Sequence, residues 1–140
     1  MLDGFEDVFM EAQADVVSFA LELLENAEIL ADKIYLYLFQ NEVQYFFNAF
    51  LEINHQVYSL NALFSDPEID AFLDAGIEAI EHIIQVCDTY QAKCPNELKL
   101  TYQIQTKAFD AKYGYEDFVT EQGESLVDRF KNWKNEIRAL

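Results

Sequence analysis

The stretch Lys33–Leu60, KIYLYLFQNEVQYFFNAFLEINHQVYSL, decides the fold. In Lys33–Phe39, tyrosine, isoleucine and leucine follow one another without the spacing of a helical face, and aromatic and β-branched residues in so short a run favour a strand. Gln40-Asn41-Glu42 is turn chemistry. Val43–Ile53 is then apolar and aromatic on both faces, the composition of a central strand covered on each side. Asn54-His55 makes a second turn into a short strand at Gln56–Leu60. Connections this short join only antiparallel neighbours, because a parallel return needs a crossover of about a dozen residues or more.

Outward from this meander the period changes. Upstream, Phe5, Phe9, Ala12, Val16, Phe19, Leu23 and Ala27 recur at the spacing of one helical face, and Asp3 with Glu6 fits a capping box at its start. Glu11, Asp15, Ser18, Glu22 and Glu25 stand on the opposite face. Downstream, Asp66-Pro67 opens a second helix, with Asp66 suited to the N-cap and Pro67 to the first turn. Its apolar stripe runs from Ile69 through Gly76 to Cys87, and Asp70, Asp74, Glu78, Glu81, Gln85 and Asp88 lie opposite.

After Pro95, Leu98, Leu100, Tyr102 and Ile104 alternate with Lys99, Thr101, Gln103 and Gln105, as in a strand with one wet face. Thr106-Lys107 turns the chain into a returning strand with Phe109, Ala111, Tyr113 and Tyr115 in alternation. A last helix from about Glu124 carries Leu126, Phe130, Trp133 and Ile137. The expectation is one α+β domain over residues 1–140: a mainly antiparallel five-stranded sheet with three helices, in the order α-β-β-β-α-β-β-α.

Charge divides the chain unevenly. Residues 1–92 hold 18 acids and one base, Lys33, whereas residues 93–140 hold 8 of each. The whole net charge of −17 therefore belongs to the first two thirds. Such a field repels nucleic acid and anionic membranes and steers basic partners inward. With 51% hydrophobic residues the chain is too apolar for disorder. Cys87 and Cys94 are too few for a secreted disulfide scaffold, and no basic leader precedes an apolar run, so a cytoplasmic protein is expected.

Catalytic signals are thin. His55 falls in a turn and His82 on a helix flank, neither with a local partner at ligand spacing. Cys87 belongs to an apolar stripe, Cys94 to a loop, and their separation matches no zinc or redox motif. The four glycines are isolated, so no phosphate-cradling loop opens a helix. The carboxylates lack the D-x-D-x-D-G pattern of a calcium loop. No cofactor, metal or catalytic residue is expected.

The segment Pro95–Glu116 resembles the hairpin of the YezG-like immunity proteins. Pro95, Glu97, Lys99, Tyr102, Thr106, Asp110, Ala111, Tyr113 and Tyr115 match its pattern, with Lys107 where a glycine is common. Tyr45–Phe50 resembles the family's Y-F-F-N-x-F strand, Leu73–Glu78 its L-D-x-G-I-E helix, and Phe130–Trp133, more loosely, its closing F-x-x-W. The resemblance implies an antitoxin in a Gram-positive bacterium that binds and silences an LXG-type polymorphic toxin, often a nuclease. It carries no catalytic residues and no settled binding site.

Physics suggests the address. A nuclease site is basic because it holds phosphates, and a negative ridge can fill it. Asp70, Asp74, Glu78, Glu81 and Asp88 are the expected toxin-binding residues, with Glu11, Asp15, Glu22 and Glu25 as a competing patch. Two other readings stay open: a small-ligand binder or enzyme with a pocket lined by Tyr35, Tyr37, Tyr45 and His55, and a homo-oligomeric scaffold.

Overall fold

Lys33–Gln40 (β1) runs through the middle of the molecule and is buried without interruption from Ile34 to Phe39. A computed structural model describes residues 1–140. Tyr45–Ile53 (β2) pairs along one side of β1, and Gln56–Ser59 (β3) along the outer side of β2. Glu97–Gln103 (β4) pairs on the other side of β1, and Phe109–Gly114 (β5) forms the far edge. The order is β3-β2-β1-β4-β5, with every pair antiparallel. Phe5–Asn26 (α1) and Asp66–Thr89 (α2) lie side by side on one face, while Phe118–Gln122 (α3) and Leu126–Arg138 (α4) cover the other. The expected class and order are observed, with the short α3 and a 3-10 turn at Leu60–Ala62 added.

Alternation along β1 feeds two cores. Ile34, Leu36 and Leu38 join a cluster of 22 buried residues under α1 and α2. Tyr35, Tyr37 and Phe39 face the other way, onto Phe50, Phe118, Phe130 and Trp133. There Tyr35 stacks on Phe50 at 4.6 Å and meets the Trp133 edge at 5.8 Å. A buried side chain of this size contributes roughly 1.5–3 kcal/mol, so a strand buried on both faces anchors both layers.

Several local expectations need correction. The capping box at Asp3 does not form: Gly4, in a left-handed conformation (φ 87°), is the N-cap of α1 and no side chain caps it. Leu2 is instead held by its N–H, which donates to the Tyr90 carbonyl at 2.7 Å. The N-cap of α2 is Ser65, one residue before Asp66. Its hydroxyl accepts from the Glu68 N–H and the Glu68 carboxylate accepts from the Ser65 N–H, satisfying two free donors reciprocally. In α1 the buried residues are Phe9, Ala12, Gln13, Val16, Val17, Ala20 and Leu24, whereas Phe19 and Leu23 are half-buried. The buried face is rotated because α1 packs on the sheet and on α2 at once. β2 starts at Tyr45 rather than Val43, since the Asn41 side chain accepts from the N–H groups of Val43 and Gln44 and holds them in the turn.

Two connections rest on backbone that L-residues seldom adopt. Asn54 (φ 50°) and His55 (φ 66°) are the two central residues between paired Ile53 and Gln56, as a right-twisted two-residue hairpin requires. Gly76 in mid-α2 has a different reason to be glycine. A Cβ there would overlap the Phe47 ring, so the helix backbone lies directly on β2.

Candidate protein-binding surface

The outer face of the α1–α2 layer is built by exclusion. Each helix turns its apolar stripe to the sheet and its neighbour, leaving the carboxylates outward. Asp70, Asp74, Glu78, Glu81 and Asp88 on α2 are all exposed, as are Glu11, Asp15, Glu22 and Glu25 on α1. Both stripes therefore lie on one layer of the molecule. α1 carries six carboxylates and α2 seven, with no lysine or arginine in either. The three ion pairs of the chain, Lys33–Glu52, Arg129–Glu97 and Arg129–Glu124, engage none of these thirteen. No cluster of histidine, cysteine, aspartate or glutamate is arranged to hold a metal ion.

Beside the α1 stripe runs an apolar groove of about 440 Å³. One wall is Met10, Ala14, Val17 and Leu21 of α1; the other is Tyr102 of β4 and Phe109 of β5. Glu11 and Ser18 form its upper lip. The Tyr113 hydroxyl donates to the Gln13 side-chain oxygen at 2.8 Å and its ring rests 5.5 Å from Phe9, tying β5 to α1. Gln13 is fully buried, and its amide donates to the Phe9 carbonyl.

A buried polar network occupies the opposite layer. The Tyr37 hydroxyl donates to Glu97, and Arg129 grips the same carboxylate through Nε and Nη2 at 3.0–3.2 Å. Its Nη1 donates to Glu124 at 3.2 Å, and the guanidinium lies 3.9 Å from the Phe118 ring centre. Burial and the Glu97 bond push the Tyr37 hydroxyl well above the ordinary phenol range. Burial alone would lower Arg129, but Glu97 outweighs it and holds the guanidinium charged. This network pins α4 to the sheet. Glu97 is buried, although it shares the alternation of half-buried Lys99 and Thr101, because α4 covers it.

No protein-family model and no curated protein matches this chain.

The structure also separates residues grouped by the sequence. Tyr35 and Tyr37 are buried in the aromatic core, where burial, aided by Glu52, pushes Tyr35 up to about 12. Tyr45 is exposed at the start of β2, and His55 lies past its far end. Nine residues of strand span roughly 30 Å, so the four line no common pocket. His82 is exposed on α2. Cys94, expected in a loop, packs half-buried against the core that holds Cys87. The bond between the two thiols lowers Cys87, and Cys94 is pushed far up by that bond and by burial.

Proposed function

We propose that this chain is a binding protein of the immunity type: an antitoxin that masks a basic region of a cognate toxin with its α1–α2 face. One observation carries the reading. Thirteen carboxylates project from two adjacent helices that hold no lysine or arginine, and none is paired within the chain. Like charges at i,i+4 weaken a helix by a few tenths of a kcal/mol per pair, so the ridge is a cost unless something outside the chain neutralises it. The resemblance of Pro95–Glu116 to the YezG-like hairpin supports a polymorphic toxin, such as a nuclease, as that partner.

Masking would work through two physical terms. The negative face raises the encounter rate with a basic patch, and the bound carboxylates occupy the positions that substrate phosphates need. The test is co-purification with the toxin domain encoded beside this gene, followed by a salt titration. The expected complex blocks toxin activity and weakens steeply with salt. Absence of a complex at low salt overturns the proposal.

A further inference from the structure

The acidic face does not by itself say where a partner is anchored, since exposed charges contribute mainly to steering while a few desolvated contacts carry most binding energy. Such contacts need apolar surface beside the charge. The groove along α1 provides it: six of its eight lining residues are hydrophobic, and Met10 within it is 45% exposed. Its α1 wall repeats at Met10, Ala14, Val17 and Leu21, one side of the helix over three turns and about 16 Å at 1.5 Å per residue. Glu11 and Ser18 form the lip of the apolar strip, and Glu22 and Glu25 follow farther along the same side of the helix, so carboxylates flank the strip towards both of its ends.

The α2 ridge differs. The cleft on its α1 side is floored by Phe19, Leu23, Ala71, Phe72 and Ala75 and rimmed by Glu22 and Asn26 of α1; the one α2 acid that reaches it is Glu68, already bound to Ser65. Asp70, Asp74, Glu78, Glu81 and Asp88 line no part of that cleft, so the outward acids of α2 have no apolar floor beside them.

We infer that the groove between α1 and the β4–β5 edge is the anchor site, and that its occupant is a lysine- or arginine-rich amphipathic helix of the partner protein. The inference rests on the proposed reading as a protein-binding module and moves its centre from α2 to α1. A helix lying beside α1 sets its apolar ridge into the Met10–Leu21 strip. Its basic flank then meets Glu11, Glu22 and Glu25.

The test uses the full chain, isotopically labelled, and a synthetic three-turn peptide with leucines on one helical face and lysines elsewhere. A scrambled peptide of the same composition is the control. Amide shifts are expected at Met10, Ala14, Ser18, Leu21 and Phe109. Met10→Gln with Ala14→Gln, a neutral and exposed pair that leaves the charge unchanged, should weaken the peptide about tenfold or more. Lysines at 74, 78 and 81 together should weaken it less than about threefold. Equal binding of the scrambled peptide, no loss in the Gln variant, or a larger loss in the α2 variant each overturns the inference. Toxin capture that survives Met10→Gln/Ala14→Gln unchanged retires the groove and leaves the antitoxin reading standing. A peptide that seats in the groove of a chain capturing no toxin does the reverse.

Discussion

Replacing Gly76 with alanine sets two known terms against each other. In a helix interior alanine is favoured over glycine by about 1 kcal/mol, so an α2 free of its neighbours would be stabilised. In this fold the added methyl overlaps the ring of Phe47, which is 5% exposed and packed edge-on to Phe72 at 5.2 Å. The ring is boxed in between β2 and α2, so the clash must lift the helix or drive Phe47 off its rotamer. Overpacking of this kind costs roughly 1–3 kcal/mol, and overlap with a pinned aromatic ring belongs at or above the upper end. Net destabilisation of about 2 kcal/mol is expected, lowering a urea midpoint by about 1 M for a slope of ~2 kcal/mol/M. Phe47→Leu, costly alone through its void, should restore part of the loss when combined with Gly76→Ala, giving a favourable coupling of about 1–2 kcal/mol. Denaturation of the four-member cycle followed by circular dichroism measures this. A Gly76→Ala variant more stable than the parent, or strict additivity with Phe47→Leu, would falsify the close approach of α2 to β2.

Three further outcomes follow from charge and burial. Arg129→Met leaves Glu97 buried with only Tyr37 as partner; with the guanidinium about a third exposed, a loss of roughly 2–3 kcal/mol is expected by denaturant titration, and an unchanged midpoint would dismiss the network as a pin for α4. Alkaline pH should unfold the chain: the folded state raises Tyr35 and Tyr37 and so favours their protonated forms. Their contribution is complete below the ordinary phenol value near 10 and disappears as pH rises through the folded values, about 3 kcal/mol for Tyr35 alone across pH 10 to 12. Melting temperatures that stay level to about pH 12 while phenolate absorbance grows would contradict this. Finally, lysines at 74, 78 and 81 should raise the melting temperature at low salt, by a few tenths of a kcal/mol per relieved pair, with the gain fading in roughly 0.5 M salt; no gain at low salt would mean that the ridge carries no strain.

Much of the fold is readable in the sequence because burial there is a local pattern. β1 is apolar on both faces, and Asn54-His55 is short enough to leave only one kind of return. Ser65 and Asp66 are both good caps for α2, and only the reciprocal bond of Ser65 with Glu68 decides between them. α3 spans five residues, too few to show a period. Glu97 looks like a solvent residue among Lys99 and Thr101, and becomes a buried one only when α4 folds back with Arg129. The candidate site divides in the same way. Exposure of the nine named carboxylates follows from helical spacing within each helix. The groove does not, since Met10 and Leu21 meet Tyr102 and Phe109 only after β1, β2, β3 and α2 have intervened in the chain.

Where the bases went bears on what the acids are for. Lys99 and Lys112 are cross-strand partners on the α4 side of the sheet, and Arg129, Lys131, Lys134 and Arg138 all belong to α4. Arg129 is spent on Glu97 and Glu124, and Lys134 donates to the Ser59 hydroxyl. The positive charge of the chain is thus gathered mostly on one layer, where Glu121, Asp128 and Glu136 accompany it, while the α1–α2 layer carries thirteen carboxylates and no base, with the sheet between. Layers in such a fold are about 10 Å apart, so the two helical layers are separated by about 20 Å. At physiological salt the screening length is about 8 Å, and the bases of α4 cannot neutralise the field that a partner meets in front of α1 and α2. Solubility alone would be served by acids scattered over both layers, or by lysines placed at i+4 from the carboxylates of α2. Segregation instead gives the molecule an orientation: a basic partner is drawn to one layer only, and along α1 that layer has an apolar groove beside its acids.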